Sequence, residues 1–235
     1  MIKDELKDQI KKSYPYRLEL HAHTSPASRC GEVKPEDVVT IFHNAGYDGI
    51  AITNHFFEKS QKDFLDIYRD DFFRARETGE RLGMKVYLGA ELRFLHENDN
   101  DYLFYGFDIS QLEEMYSYVT GDGTLENFVK NFKADGMFLL QAHPFRDDMI
   151  TGYEEYLDGI EVFNMHPNHN SRVALAARLA EEKGKIATMG TDYHHIGHDN
   201  LCATRTPFIP QDEAELVSLL KSGDFAYEIA DKIIV

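Results

Sequence analysis

The apolar positions of this chain fall in short runs, each followed by a polar cluster. Leu18 and Leu20 flank Glu19 in an extended pattern that ends in His21-Ala22-His23-Thr24. Gly49-Ile50-Ala51-Ile52-Thr53 is a second run, ending at Asn54 and His55, and residues 84–90 are a third, with Glu91 at the end. Residues 137–141 run into Ala142-His143-Pro144-Phe145-Arg146, and residues 158–163 end at Asn164. Residues 185–189 lead to Gly190-Thr191-Asp192-Tyr193-His194-His195. Such runs, bounded by polar and turn residues, predict buried strands.

Between them the period changes to that of helices. Val38, Val39, Ile41 and Phe42 form a stripe after Pro35, and Gly46 ends it. An amphipathic segment over residues 58–82 carries Phe64, Leu65, Ile67, Tyr68, Phe72 and Phe73. Further helical patterns cover residues 1–12, 111–118, 124–133, 171–183 and 212–221. Residues 92–108 read as a hairpin turning at Asn98-Asp99-Asn100, and residues 199–210 as a turn-rich connection before a final apolar strand or tail. Strand and helix alternate about seven times, which predicts an α/β fold with a parallel sheet and crossover helices, closed into a barrel. No repeat, low-complexity tract or linker divides residues 1–235, so a single domain is expected.

Composition narrows the function. The 43% hydrophobic content supports a sizeable core. The excess of 41 Asp+Glu over 25 Lys+Arg gives a net charge of −16, which opposes long nucleic acids but leaves room for a small anion held by a few arginines. Cys30 and Cys202 are too few for a disulfide framework or a four-thiolate zinc site. With no signal-peptide core at the start and no stretch near the ~18 apolar residues of a membrane span, a soluble cytoplasmic protein is expected. Oligomeric state leaves no signal.

Candidate chemistry sits at one end of the predicted strands. His21, His23, His55, Glu91, His143, Asp192 and His194 are all metal-competent side chains at predicted C-terminal strand ends, the face where (β/α) barrels carry their active sites. Mixed imidazole and carboxylate donors suit divalent zinc, manganese or iron. Seven donors exceed one ion, and Glu91, central in the order, is the expected bridge between two ions about 3.5–4 Å apart that activate a shared water for attack on phosphorus. Arg29, Arg146, Arg172 and Arg205 are candidates for a substrate phosphate; Arg29 and Arg146, beside motif loops, are favoured. Asn164, at a strand end, and His195, after the Asp-x-His motif, are expected to contact substrate, and His198 to line the pocket. His166 and His169 read as surface groups or neighbours of the ligands, and His43 as a polar helix residue.

These motifs resemble the polymerase and histidinol phosphatase (PHP) superfamily along nearly the whole chain: His21-Ala22-His23-Thr24, Ile52-Thr53-Asn54-His55, Gly89-Ala90-Glu91, Ala142-His143-Pro144 and Gly190-Thr191-Asp192-Tyr193-His194. The resemblance implies a distorted seven-stranded (β/α) TIM-like barrel with two or three divalent ions. By motif position His21, His23, Glu91 and Asp192 hold the first ion, and Glu91 and His143 the second. His55 and His194 hold a third or stand by as acid and base, and with Asp192 they are the expected catalytic residues. Family members commonly have Asp where this chain has Asn54, an expected loss of a hydrogen bond or charge rather than of a ligand. They commonly supply another His or Asp in the loop after the first motif, where this chain has Arg29. They also place a further His on the strand after the bridging Glu; here Asp108 is the closest positional match, and His96 on the hairpin is a second candidate.

The function so implied is hydrolysis of a small phosphorylated metabolite, a histidinol-phosphate-like monoester or a nucleotide, by a metal-dependent phosphoesterase. Competing readings are an exonuclease on short oligonucleotides, a hydrolase of an amide or other non-phosphate ester, and a non-catalytic metal-binding module.

Overall fold

A computed structural model describes residues 4–57, 63–94, 97–121, 123–230 and 232–234. The first three residues of the expected N-terminal helix, the start of the expected 58–82 helix, and His96 lie outside the described residues. The strands are β1 (Tyr16–Ala22), β2 (Gly49–Ile52), β3 (His55–Phe56), β4 (Lys85–Leu92), β5 (Tyr102–Tyr105), β6 (Phe138–Gln141), β7 (Gly159–Asn164), β8 (Ile186–Gly190), β9 (Cys202–Thr206), β10 (Ala226–Ile229) and β11 (Lys232–Ile234). The α-helices are α1 (Asp4–Ser13), α2 (Pro35–Asn44), α3 (Phe64–Leu82), α4 (Leu112–Thr120), α5 (Leu125–Asn131), α6 (Val173–Lys183) and α7 (Glu213–Ser222). Pro35 at the start of α2 and left-handed Gly83 after α3 are the start and stop signals the sequence carries.

One sheet runs in the order β11-β10-β9-β1-β2-β4-β5-β6-β7-β8, with β3 beside β4. The stretch from β1 to β8 makes a nearly closed seven-stranded barrel. At one end β8 returns to β1, where His23 N donates to Tyr193 O at 3.0 Å and Tyr193 N to His21 O at 3.2 Å. Helices pack around this sheet, so the distorted TIM-like barrel expected from sequence is the fold.

Two features depart from a uniform parallel barrel. β5 runs antiparallel to both β4 and β6, so the 92–108 segment is a hairpin whose second strand also pairs onward. The 199–210 segment, expected to be a connection, contains β9, antiparallel to β1 and β10. The sequence Cys202-Ala203-Thr204-Arg205-Thr206 has no apolar run to reveal a strand. Arg205 is held there by Glu228 of β10 and donates to the Tyr14 and Pro15 carbonyls, so it is a structural residue rather than a phosphate anchor.

The core lies between strands and helices. Val38, Val39 and Phe42 of α2 and Phe64, Tyr68 and Phe72 of α3 are buried against the sheet. Phe94, Phe104, Phe128 and Phe132 stack under α5 with ring centroids 5.1–6.1 Å apart. Each such ring contributes roughly 1.5–3 kcal/mol of burial free energy. Among the described residues no helix is long and apolar enough to cross a membrane.

Candidate metal centre

Strand direction decides which residues meet. The parallel strands β1, β2, β4, β6 and β8 all deliver their C-terminal ends to one rim, carrying His21 and His23, His55, Glu91, His143, and Asp192 and His194. All seven come together there. Their potential donor atoms form overlapping groups within 4.8 Å: His21, His23 and Asp192; His23, His55 and His194; Glu91, Asp101 and His143.

Glu91 is the hub. Its Oε1 lies 3.1 Å from His143 Nε2 and 3.4 Å from His21 Nε2, while its Oε2 lies 2.7 Å from His55 Nδ1 and 3.4 Å from His23 Nε2. Asp192 Oδ1 stands 3.4 Å from His21 Nε2 and 3.3 Å from His23 Nε2. The far nitrogens are tied down, which aims the near ones inward. His21 Nδ1 donates to Glu161 at 2.8 Å, His23 Nδ1 lies 3.1 Å from Ser28 Oγ, and His194 Nδ1 donates to the Asp192 carbonyl at 2.8 Å. His143 and Asp192 hold left-handed backbones, φ 30° and 53°, a strain of order 1–3 kcal/mol each that a binding site can impose.

The electrostatics are those of closely packed imidazoles and carboxylates. Burial would lower the His21 pKa, but Glu161, Asp192 and Glu91 hold it well above the usual imidazole range. Burial, with His194 and His55 nearby, pushes His23 well below that range. Glu91 and Asp192 are buried, which alone would raise them, yet the surrounding imidazoles hold both well below the usual carboxylate range. Burial and the Glu91 charge raise Asp101. His143 Nδ1 is buried without a hydrogen-bond partner, and Glu91 Oε2 and His55 Nδ1 are buried facing only each other, at 2.7 Å. Orphaned donor atoms among buried carboxylates and imidazoles fit divalent metal ions, which satisfy both the lone pairs and the charge.

Asp101, not Asp108, joins the His143 end of the cluster. Because β5 runs antiparallel, its start rather than its finish lies at the metal rim: Tyr102 pairs with Leu92 and Tyr105 with Gly89. Asp108 follows the far end and caps a short 3₁₀ turn, accepting from Ser110 N at 2.8 Å. Asp101 Oδ2 is 3.9 Å from His143 Nε2, and Arg93 grips the same carboxylate with two bonds of 2.7 Å. In the sequence Asp101 follows the Asn98-Asp99-Asn100 turn and precedes an apolar run rather than closing one, so it carries no strand-end signal.

Glu161 and Glu19 were missed as well. Both are buried, at 1% exposure, inside apolar strands. Glu161 also accepts from His143 N at 3.0 Å, and Glu19 Oε1 accepts from His21 N at 2.8 Å and Thr191 N at 2.9 Å. A lone carboxylate between Ile160 and Val162, or between Leu18 and Leu20, was the available signal.

Asn54 is tied into the loop after β1: its Oδ1 accepts from Thr24 N and Ser28 Oγ at 2.7 and 2.9 Å, and its Nδ2 donates to Thr24 Oγ1 at 2.7 Å. Asn164, expected at the substrate, is 4% exposed and donates to Glu161 at 2.9 Å and Asp192 at 3.1 Å. Arg172 donates to Phe145 O and Asp147, outside the cluster.

A cavity of about 310 Å³ opens over the rim, lined by Cys30, His55, Arg93, Asp101, Arg146, His166, Asn168, His169, His194 and His195. Arg146 also donates to Asp192. His195 Nδ1 lies 3.1 Å from Glu32 Oε2. Arg29 and Cys30 line an adjoining cavity of about 260 Å³ with His55, Phe57 and Arg93. Burial would raise the Cys30 thiol, but hydrogen bonds to His194 and His55 bring it down to about 6. A cavity of about 290 Å³ lined by Phe72, Arg76 and Asp108 brings together no metal-donor group among the described residues.

The fold is similar to that of solved proteins described as PHP-like or metal-dependent phosphoesterases and of an amidohydrolase. A two-domain protein from Bacteroides vulgatus that contains a predicted PHP-like metal-dependent phosphoesterase superposes with a TM-score of 0.63 at 16% identity. The likeness covers 94% of this chain and 66% of that protein, so this chain spans just under two thirds of its length. A candidate metal-dependent phosphoesterase from Bifidobacterium adolescentis gives 0.54 at 17% identity, over 86% of this chain and 95% of that one. An amidohydrolase from Chromobacterium violaceum, with bound sulfate and no metal, gives 0.51 at 14%, over 77% and 89%. No family model and no curated protein matches the sequence.

Proposed function

We propose that this chain is a metal-dependent phosphoesterase that hydrolyses a small phosphorylated metabolite with water, a histidinol-phosphate-like monoester or a nucleotide. The observation that carries the reading is the convergence on Glu91, whose two oxygens face separate groups of imidazoles at one barrel rim. His21, His23, Glu91 and Asp192 would hold one divalent ion, and Glu91, Asp101 and His143 another, drawn from zinc, manganese or iron. Such ions supply Lewis acidity and an activated water, and they offset charge that develops on phosphoryl oxygens.

The chain's own groups do the rest. Arg93 and Arg146 on the main cavity wall, with Arg29 in the adjoining one, are the guanidinium groups for phosphate oxygens. His195, its Nδ1 held near Glu32, is placed on the same wall to protonate the leaving oxygen. Asn164 and Glu161 keep Asp192 and His21 in place. A cavity of about 310 Å³ has the scale of a small ligand rather than a nucleic-acid strand, and the net charge of −16 disfavours long polyanions. Two unpaired cysteines suit a reducing, cytoplasmic setting.

The test is phosphate release from a panel of phosphomonoesters, set beside phosphodiesters and amides, with zinc or manganese added. Monoesters should turn over best, and Arg29→Ala should raise KM for them more than it lowers metal content. Preference for an amide, or metal loss on Arg29→Ala, would overturn the substrate class or the placing of that loop.

A further inference from the structure

His23 presents Nε2 to the rim, 3.4 Å from Glu91 Oε2 and 3.3 Å from Asp192 Oδ1. In a neutral ring that nitrogen has a free lone pair only while the proton sits on Nδ1. Nδ1 faces Ser28 Oγ at 3.1 Å, and a hydroxyl can either donate or accept there. Groups farther from the centre decide which.

The bonds behind Ser28 leave one arrangement. The backbone N–H of Thr24 can only donate, and it meets the Asn54 amide at 2.7 Å, so the atom it meets is the oxygen, Oδ1. Ser28 Oγ approaches the same oxygen to 2.9 Å and supplies the hydrogen between them. The His55 N–H, a second group that can only donate, points at Ser28 Oγ from 2.9 Å. The hydroxyl's single hydrogen is committed to Asn54, so its remaining lone pair accepts from His23 Nδ1. The other half of the amide is held in the same way. Asn54 Nδ2 donates to Thr24 Oγ1 at 2.7 Å, and Thr24 gives its own hydrogen to Asp71 Oδ2 at 2.9 Å, where Ala27 N also donates at 3.0 Å. Asp71 belongs to α3, and His23, Thr24, Ser28, Asn54 and Asp71 are each at most 1% exposed, so bulk water does not compete for these bonds.

We propose that Asn54 is a positioning residue: acting through Ser28, with Asp71 behind it, it keeps a proton on His23 Nδ1 and so holds Nε2 ready for a metal ion before one arrives. An amide rather than a carboxylate is needed at this place. Thr24 has given its hydrogen to Asp71, so the group that faces its oxygen has to be a donor. His21 needs no such relay, because its Nδ1 meets the Glu161 carboxylate directly at 2.8 Å. The inference rests on the metal-dependent reading above and adds to it what sets the tautomer of one ligand.

Ring-nitrogen NMR of the full-length protein, isotopically labelled at its histidines, reads that tautomer. His23 Nδ1 should carry a proton in the chelated protein and keep it when zinc is added. Asn54→Ala leaves Ser28 in place but frees its hydrogen to turn toward His23. In that variant the Nδ1 resonance should move toward that of a bare nitrogen, and zinc affinity, measured by chelator competition, should fall about 10–100-fold. Asn54→Asp keeps the oxygen that Ser28 needs and loses only the donor facing Thr24. It should therefore retain the Nδ1 proton while its melting temperature drops, a split that a merely structural role for the loop does not produce. A bare Nδ1 in the unaltered chelated protein, an unmoved Nδ1 signal in Asn54→Ala, or a lost Nδ1 proton in Asn54→Asp would each overturn the proposal. Should Asn54→Ala not fold, the unaltered protein and Asn54→Asp still decide. A protein that takes up zinc with Nδ1 bare loses this role alone; one that takes up no zinc loses the metal-dependent reading, and this role with it.

Discussion

At the scale of single residues, the centre is a set of buried imidazoles and carboxylates whose charges compensate one another, and a divalent ion would take the place of the imidazole protons. Glu91→Ala and Asp192→Ala should each abolish hydrolysis and reduce bound metal while the far-ultraviolet spectrum stays native; undiminished turnover in either would refute its role. Asp101→Asn should weaken one ion position at least ~10-fold, whereas Asp108→Asn should leave metal content unchanged and cost at most about 1 kcal/mol as a lost cap. Metal titration of the two variants side by side separates them. Glu19 gives the metal-free protein a pH signature. Burial raises its pKa to about 7 from an ordinary 4.5, so the folded state holds the proton more tightly than the unfolded one. Its contribution is therefore complete below pH 4.5 and is lost as pH rises through about 7, an effect on the order of 3 kcal/mol. Melting curves of the chelated protein should lose stability over that window relative to Glu19→Gln. Parallel curves would show that Glu19 is not proton-bearing in the fold.

At the scale of elements, much of the site was legible because a histidine or carboxylate at a strand end is a local pattern. His21, His23, His55, Glu91, His143, Asp192 and His194 each close an apolar run, and they meet as a set. The hairpin over residues 92–108 already implies a returning strand. What its apolar run does not mark is the residue at the near end: the antiparallel strand carries Asp101 to the metal rim and Asp108 away from it. β9 was hidden for a different reason, since Thr204, Arg205 and Thr206 are buried by pairing and an ion pair rather than by apolar side chains. Closure of the barrel depends on Gly190 at the end of β8. A Cβ there would collide with the Cβ of His21 and come within 2.9 Å of Glu161 Oε1. Gly190→Ala should therefore displace β1 and lower both metal content and melting temperature; native values for both would show that the rim can move to accommodate a methyl group.

At the scale of the whole molecule, the barrel gathers buried carboxylates at one rim in a chain that already carries a net charge of −16. Divalent ions should then stabilise the fold as well as serve chemistry, because they bind the folded arrangement and not the dispersed ligands of the unfolded chain. At free metal ~100-fold above Kd the gain is about 2.7 kcal/mol, which for a chain of this size corresponds to roughly 5–10 °C in Tm. Chelation should lower the melting temperature by that amount and re-addition restore it. The most direct measurement follows phosphate release from a small monoester by the purified protein, first after chelation and then through a titration with zinc or manganese, with Glu91→Ala carried alongside. Turnover should vanish on chelation, return with added metal, and remain absent in Glu91→Ala at every concentration. Hydrolysis that survives chelation, or Glu91→Ala as active as the unaltered protein, would contradict a metal centre built on that carboxylate.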